Sequence, residues 1–171
     1  MIYFKSLVLI IFEYQFWIKM QIRPFQTSDT PRLLELLKLN TPEYFSASEE
    51  NDLIYYLENE IEQYFVLLVD HEILGCGGFN LSEDLKTGRI SWDIFHPTSQ
   101  GKGLGTALTN YRIERMKEIK SIETISVRTS QLAYPFYVKF GLELQEIIKD
   151  YWADGFDLYR LEADVDLVKI K

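Results

Sequence analysis

The chain has 171 residues, of which 47% are hydrophobic, 15% aromatic and 26% charged: enough apolar mass for one good core and too little length for two large domains. Lys and Arg number 18 against 26 Asp and Glu, and the formal charge of -8 argues against nucleic acid as the main partner while suiting a cationic small molecule. The single cysteine, Cys76, excludes an internal disulfide framework and a thiolate zinc cluster, and fits a reduced, cytoplasmic setting.

Residues 1–19, MIYFKSLVLIIFEYQFWIK, carry an apolar run from Leu7 to Phe12. The run is too short to span a bilayer and lacks the small-residue cleavage site of a secretory signal, so no stable membrane insertion is expected. Three readings stand: an extra strand or helix on the domain, a weak membrane anchor, or a true start at Met20, where MQIRPF opens an alternating strand unaided. The domain proper is expected over residues 20–171.

MQIRPFQTSD alternates as a half-buried strand does. Thr30 and Pro31 then supply a cap and a first-turn proline for a helix with Leu33, Leu34, Leu36 and Leu37 on its buried face. Ser46 and Glu49 have the spacing of a capping box and open a second helix through DLIYYLENEI. YFVLLVD and ILGCGGFNL form a hairpin about Asp70 to Glu72, and Gly77 and Gly78 mark a bulge or a close backbone approach in its second strand. GRISWDIF, residues 88–95, is a further strand ended by His96 and Pro97. TALTNYRIERMKEI follows as a helix with Ala107, Leu108, Tyr111, Ile113 and Met116 on one broad apolar face. ETISVRT is the next strand, parallel to the one carrying Trp92 by the crossover rule. AYPFYVKFGLE holds a short helix closed by Gly141, and LQEIIKDYW and FDLYRLEADV make an antiparallel pair about Ala153, Asp154 and Gly155. The fold class is α/β (α+β in other schemes), with one mixed sheet flanked by helices.

Between the Trp92 strand and its helix lies QGKGLG, residues 100–105. No Lys follows Gly105, so this is not a Walker loop, and Gly101, Gly103 and Gly105 give G-x-G-x-G rather than the dinucleotide fingerprint. Glycines still let consecutive amides turn inward, and the helix start presents unpaired N–H groups to an anion; a ligand-free corner is the alternative.

HPTSQGKGLGTAL closely resembles the acetyl-coenzyme A pyrophosphate-binding motif of the GNAT superfamily of N-acetyltransferases, Q/R-x-x-G-x-G/A, with Gln100, Gly103 and Gly105 in its named positions. Phe136, Tyr137, Lys139 and Gly141 resemble a later signature of the same family, and the likeness runs from about Met20 to Val165. It implies a mostly antiparallel sheet of six to seven strands, splayed at a central parallel pair to admit acetyl-coenzyme A as acetyl donor. By that resemblance, backbone at Ile94, Phe95 and His96 meets the pantetheine arm and acetyl carbonyl. Gln100, Gly101, Lys102, Gly103, Leu104, Gly105 and Thr106 hold the pyrophosphate, and Ser130 and Gln131 stand near a frequent asparagine.

The implied reaction is direct acetyl transfer to a primary amine in a ternary complex, the acceptor being a small amine or a peptide N-terminus. Tyr137 resembles the family's general acid at the coenzyme sulfur, and a phenol with a pKa of about 10 stays protonated for that task. Some relatives carry a glutamate where this chain has Ser126, so Asp93 becomes the leading base or amine-binding carboxylate. His96 is a second titratable candidate, and it lies too far from His71 to suggest a metal site. Tyr55, Tyr56, Trp152 and Phe156 are candidate acceptor walls, Asp154 a candidate cation partner, and Arg128 either lies near the acceptor channel or satisfies nearby acids. The contrasting reading is a non-catalytic acyl-coenzyme A binding or regulatory protein. Monomer and homodimer both remain open.

Overall fold

The computed structural model describes residues 19–171; the apolar run from Leu7 to Phe12 and the three readings of it lie outside the described residues. The elements in chain order are β1 (Met20–Pro24), α1 (Thr30–Leu39), α2 (Glu49–Asn59), β2 (Gln63–Val69), β3 (Glu72–Leu81), β4 (Thr87–Phe95), α3 (Leu104–Glu118), β5 (Thr124–Thr129), α4 (Tyr134–Val138), β6 (Glu143–Ala153) and β7 (Phe156–Asp164). They build one seven-stranded sheet in the order β1-β2-β3-β4-β5-β7-β6. Only β4 and β5 pair parallel, as the α3 crossover between them requires.

Each face of the sheet carries its own core, because strand side chains alternate. Tyr64 and Val66 point with Cys76 and Ile94 toward Leu33, Leu36 and Leu37 of α1 and Leu53 of α2. Phe65 and Leu67 point the other way with Ile90, Ile125 and Leu161, against Leu108, Ile113 and Met116 of α3 and Tyr137 of α4. Burial of each such aliphatic side chain contributes about 1.5–3 kcal/mol.

The β2–β3 turn is tighter than the sequence indicated. Glu72 already belongs to β3, and Asp70 and His71 alone turn the chain, both left-handed at φ 49° and 70°. A two-residue turn of that hand matches the twist of the flanking strands.

The helix starts also differ from expectation. Asp29, not Thr30, organises the first: its carboxylate accepts the Gln26 amide at 2.8 Å and both guanidinium nitrogens of Arg23, at 2.7 and 2.8 Å. At α2 only half of the expected box forms. The Glu49 carboxylate accepts the Ser46 amide at 2.7 Å, but the Ser46 hydroxyl bonds Ser48 instead.

The feature that positions the site is an irregularity in β4. Ser91 pairs with Gly78 and Ile94 with Cys76, so Trp92 and Asp93 together oppose Gly77, with Trp92 left-handed at φ 50°. This bulge puts both Ser91 and Trp92 on the α1/α2 side, where Ser91 meets the Tyr56 hydroxyl at 2.9 Å and Trp92 stacks on Phe45. Asp93 and Phe95 are left on the α3 side. Pairing of β4 with β5 stops at Ile90↔Val127, and beyond that point the two strands diverge.

The Arg23 hydrogen bonds hold the Asp29 carboxyl below the usual carboxylate range despite partial burial. Its folded pKa lies below the unfolded value of about 3.9, so the stabilisation is full at neutral pH and is lost as pH falls through the lowered pKa. Asp29→Asn is expected to lower the urea unfolding free energy by about 1–3 kcal/mol at neutral pH, with the gap to wild type closing in strong acid. Equal stability at neutral pH would contradict this.

Candidate active site

Where β4 leaves β5, a cavity of about 730 Å³ opens, within the range of about 300–1,000 Å³ that small-ligand sites occupy. Phe95, Gln100, Gly101, Gly103, Leu104, Gly105, Thr106, Ser130, Tyr137 and Asp93 all line it. The side chains of Ile94, His96 and Lys102, residues expected to offer backbone groups, lie off the wall. Ile94 is buried among the α1/α2 core residues, the His96 ring turns back to accept the Thr98 amide at 3.2 Å, and Lys102 points to solvent.

The glycine loop has the form of an anion cradle. Gly101 and Gly103 are left-handed at φ 73° and 82°, and an added Cβ at either would meet nothing within 4 Å, so backbone conformation rather than space selects glycine there. Gln100 and Lys102 spend their amides inside the loop, on the Pro97 and Ser99 carbonyls at 3.3 Å each. The amides of Gly101, Gly103, Leu104, Gly105 and Thr106 have no backbone acceptor. Five such N–H groups at the start of a 15-residue helix suit a diphosphate. From Ser91 onward β4 has no β5 partner, which leaves a strand edge for an amide-bearing arm. The cradle and the open edge together fit the coenzyme expected from sequence. Asn40, at the end of α1, donates to the Leu36 and Phe95 carbonyls at 2.8 Å each and so ties α1 to the end of β4.

Tyr137 and Asp93 meet within this cavity wall. The Tyr137 hydroxyl donates to Asp93 Oδ2 at 2.5 Å. Arg112 of α3, with no exposed side-chain surface, donates to the same oxygen from Nη2 at 2.8 Å and places Nη1 2.6 Å from Oδ1. That second contact is off the N–H axis, so Oδ1 remains a buried acceptor without a hydrogen-bond donor. Arg112 also donates to the Gly78 and Leu108 carbonyls and to Thr109 Oγ1. Gly77 makes room for the pair: a Cβ there would lie 2.1 Å from Asp93 Oδ1 and 2.8 Å from Arg112 Nη1. Burial, reinforced by the Asp93 charge, pushes the Tyr137 phenol well above its ordinary pKa, so it stays protonated.

The sequence profile of the Acetyltransferase (GNAT) family matches residues 30–142. The chain belongs to the GNAT acetyltransferase family. It is 27% identical over 160 residues to an N-alpha-acetyltransferase of Sulfurisphaera tokodaii, an alignment covering 84% of this chain and 92% of that protein. Ard1 from Thermoplasma volcanium superposes with a TM-score of 0.72 at 17% identity, over 85% of this chain and 97% of that one. The fold is shared too with yncA of Salmonella typhimurium, solved with its cofactor acetyl-CoA, at a TM-score of 0.68 and 16% identity over 86% of this chain and 95% of that one. This GNAT enzyme is thus an acetyltransferase with acetyl-coenzyme A as its donor.

Of the acceptor residues expected in this GNAT chain, Trp152 and Phe156 line the cavity with Phe45 and Trp92. Tyr55 is exposed on α2. Tyr56 is buried behind the wall, bonding Asn80 and Ser91, and burial pushes its phenol up to about 12. Arg128 lines the cavity, lies over the Tyr151 and Trp152 rings at 4.9 and 5.5 Å, and makes no ion pair among the described residues. Asp154, in the β6–β7 turn, lies off the wall. Cys76 is fully buried, its thiol pushed up to about 12 chiefly by burial, which removes it as a nucleophile. Sequence reasoning missed Arg112, a cation four residues after Leu108 and four before Met116 on an otherwise apolar face, a position where a charge asks for a partner. It also missed Glu49, which lines the cavity but had been read only as a cap. Burial raises the Glu49 carboxyl above its ordinary range.

Gly103→Val is expected to weaken acetyl-coenzyme A binding about 10-fold or more through a left-handed strain of about 1–2 kcal/mol, with calorimetry as the readout. Unchanged affinity would contradict the cradle. Gly77→Ala should destabilise the fold by about 1–3 kcal/mol, read by urea unfolding, because the clashing carboxylate is pinned by Arg112.

Proposed function

We propose that the protein transfers the acetyl group of acetyl-coenzyme A to a primary amine by direct transfer in a ternary complex, and that the amine is the N-terminus of a peptide or protein. One observation carries this reading: the phosphate cradle, the open β4 edge, Tyr137 and a half-buried carboxylate, Glu49, line a single cavity. The coenzyme brings an activated acetyl thioester. Ternary-complex transfer accords with the absence of an activated nucleophile, since the one thiol among the described residues is buried and protonated. The acceptor class is supported by the N-alpha-acetyltransferase of Sulfurisphaera tokodaii, aligned over nearly the whole domain.

Two protons must leave the acceptor ammonium, one before attack and one as the amide forms. Glu49 takes the first. Its raised pKa improves it as a base near neutrality, and it makes no ion pair among the described residues that would hold its pKa down. The second reaches the departing sulfur from Tyr137, whose phenol is protonated at every pH the enzyme meets. The stacked Phe45 and Trp92 rings, 6.3 Å between centroids, form with Trp152 and Phe156 an apolar wall that keeps the amine desolvated and neutral for attack.

The test is turnover of acetyl-coenzyme A with a panel of short peptides bearing free N-termini, beside spermidine and free amino acids. Acetylation of peptide N-termini is expected; activity on spermidine alone would overturn the acceptor assignment. Tyr137→Phe is expected to lower kcat about 10²-fold or more with acetyl-coenzyme A affinity unchanged by calorimetry. In the wild type, kcat/KM should fall as pH drops through the raised Glu49 pKa, because protonation removes the base. Glu49→Gln should abolish that limb, and a limb that persists in this variant would remove Glu49 from the role.

A further inference from the structure

A buried arginine inside an apolar helix face is costly to desolvate, and a buried ion pair adds little net stability over a well-packed apolar pair. Arg112 and Asp93 are nevertheless joined in the cavity wall, with Gly77 kept free of a side chain at their contact. The consequence falls on Tyr137. Its hydroxyl donates to Asp93 Oδ2 at 2.5 Å, which turns the lone pairs of the phenol oxygen away from the carboxylate.

We propose that Arg112 and Asp93 are positioning residues for Tyr137, forming an inward proton relay that lets the phenol pass a proton between acceptor nitrogen and sulfur without becoming a phenolate. The inference rests on the acetyl-transfer reading above and assigns the route of its second proton. The nitrogen gives that proton to the phenol oxygen while the O–H bond of Tyr137 breaks and its proton forms a bond to Asp93 Oδ2. As the sulfur departs, Tyr137 gives it a proton and Asp93 returns the one it held. One proton has moved from nitrogen to sulfur, and Tyr137 and Asp93 are both restored. Arg112, with its terminal nitrogens 2.8 and 2.6 Å from the two Asp93 oxygens, holds that carboxylate against the phenol. A phenolate would be poorly tolerated here, since burial and the adjacent carboxylate both disfavour it.

The groups facing Asp93 are Arg112 from α3 and Tyr137 from α4, with Tyr64 of β2 and Cys76 of β3 acting on it from the other side of the sheet. Arg112 is the one cation among them, and its removal leaves the Asp93 carboxylate in the buried wall without the partner that fixes it against Tyr137.

The experiment uses the full chain in four forms: wild type, Arg112→Lys, Arg112→Met, and the charge-balanced double variant Asp93→Asn with Arg112→Gln. Both kcat and KM are measured with a free-N-terminus peptide as acceptor, and acetyl-coenzyme A affinity by calorimetry. In Arg112→Met kcat is expected to fall about 10-fold or more with the acetyl-coenzyme A KM changed less than about threefold, and in Arg112→Lys kcat should stay within about threefold of wild type. The double variant is expected to lose about 10²-fold in kcat with the acetyl-coenzyme A KM changed less than about threefold; it also tests the relay if Arg112→Met does not fold. An Arg112→Met variant with near wild-type kcat, or a double variant with near wild-type kcat, would each overturn the relay. Calorimetry on each form separates the two levels: a wild type that does not bind acetyl-coenzyme A defeats the acetyl-transfer reading, whereas intact binding with any of those results defeats the relay alone.

Discussion

The parting of β4 from β5 is the constraint on which the rest of this structure depends. Parallel pairing lasts for four residue pairs, Thr87↔Thr124 to Ile90↔Val127, and then ends. The bulge at Trp92 and Asp93 follows directly, and its two-against-one count turns Ser91 and Trp92 toward α1 and α2 and leaves Asp93 facing α3. An unbroken strand would have put Asp93 and Ser91 on one face. The bulge thus separates the polar wall from the aromatic wall and leaves a strand edge between them without a partner.

That opening has to be held apart, and buried polar groups do much of the holding. Asn40 clamps the Phe95 carbonyl, Tyr64 donates to the Trp92 carbonyl at 2.8 Å, and Tyr56 joins Asn80 to Ser91. On the other face Arg112 bonds the Gly78 carbonyl and Asp93 together, spanning β3 and β4 at the bulge. Each of these groups finds a partner in the splayed arrangement, and leaving one buried and unpaired costs about 1–3 kcal/mol. The network therefore favours one geometry for the notch over slippage of the β3–β4 register.

Much of this was legible in the sequence. Alternation, helical periodicity and turn residues located the seven strands and four helices, and the crossover rule gave the lone parallel pair. QGKGLG by itself left two uses open, an anion cradle and a ligand-free corner, and the amides without backbone acceptors at the start of α3 fit the first. What sequence patterns handled poorly were local competitions between neighbouring polar groups. Thr30 looked like a cap, but Asp29 can take both Arg23 and the Gln26 amide; Ser46 looked like the hydroxyl of a box, but its hydroxyl found Ser48. At the site, periodicity placed Asp93 on the correct strand without revealing its partner, since Arg112 lies 19 residues away in sequence and on a face that otherwise reads as apolar. The resemblance offered Ile94 and His96 for their backbone alone, and their side chains go elsewhere: strand alternation sends Ile94 to the far core and Thr98 draws the His96 ring away.

The family fold sets the donor, and in the proposed mechanism this chain's own residues move the protons once the donor is bound: Glu49 at the acceptor wall, Tyr137 between, and the Arg112–Asp93 pair behind it. All of that requires the coenzyme to lie along the open β4 edge with its phosphates on the glycine loop. Hydrogen exchange followed by mass spectrometry, with and without saturating acetyl-coenzyme A, tests that placement most directly. The account predicts slowed exchange in peptides spanning residues 91–106 and none in the β2–β3 turn. Saturated binding that leaves 91–106 unchanged, or protects another surface instead, would contradict it.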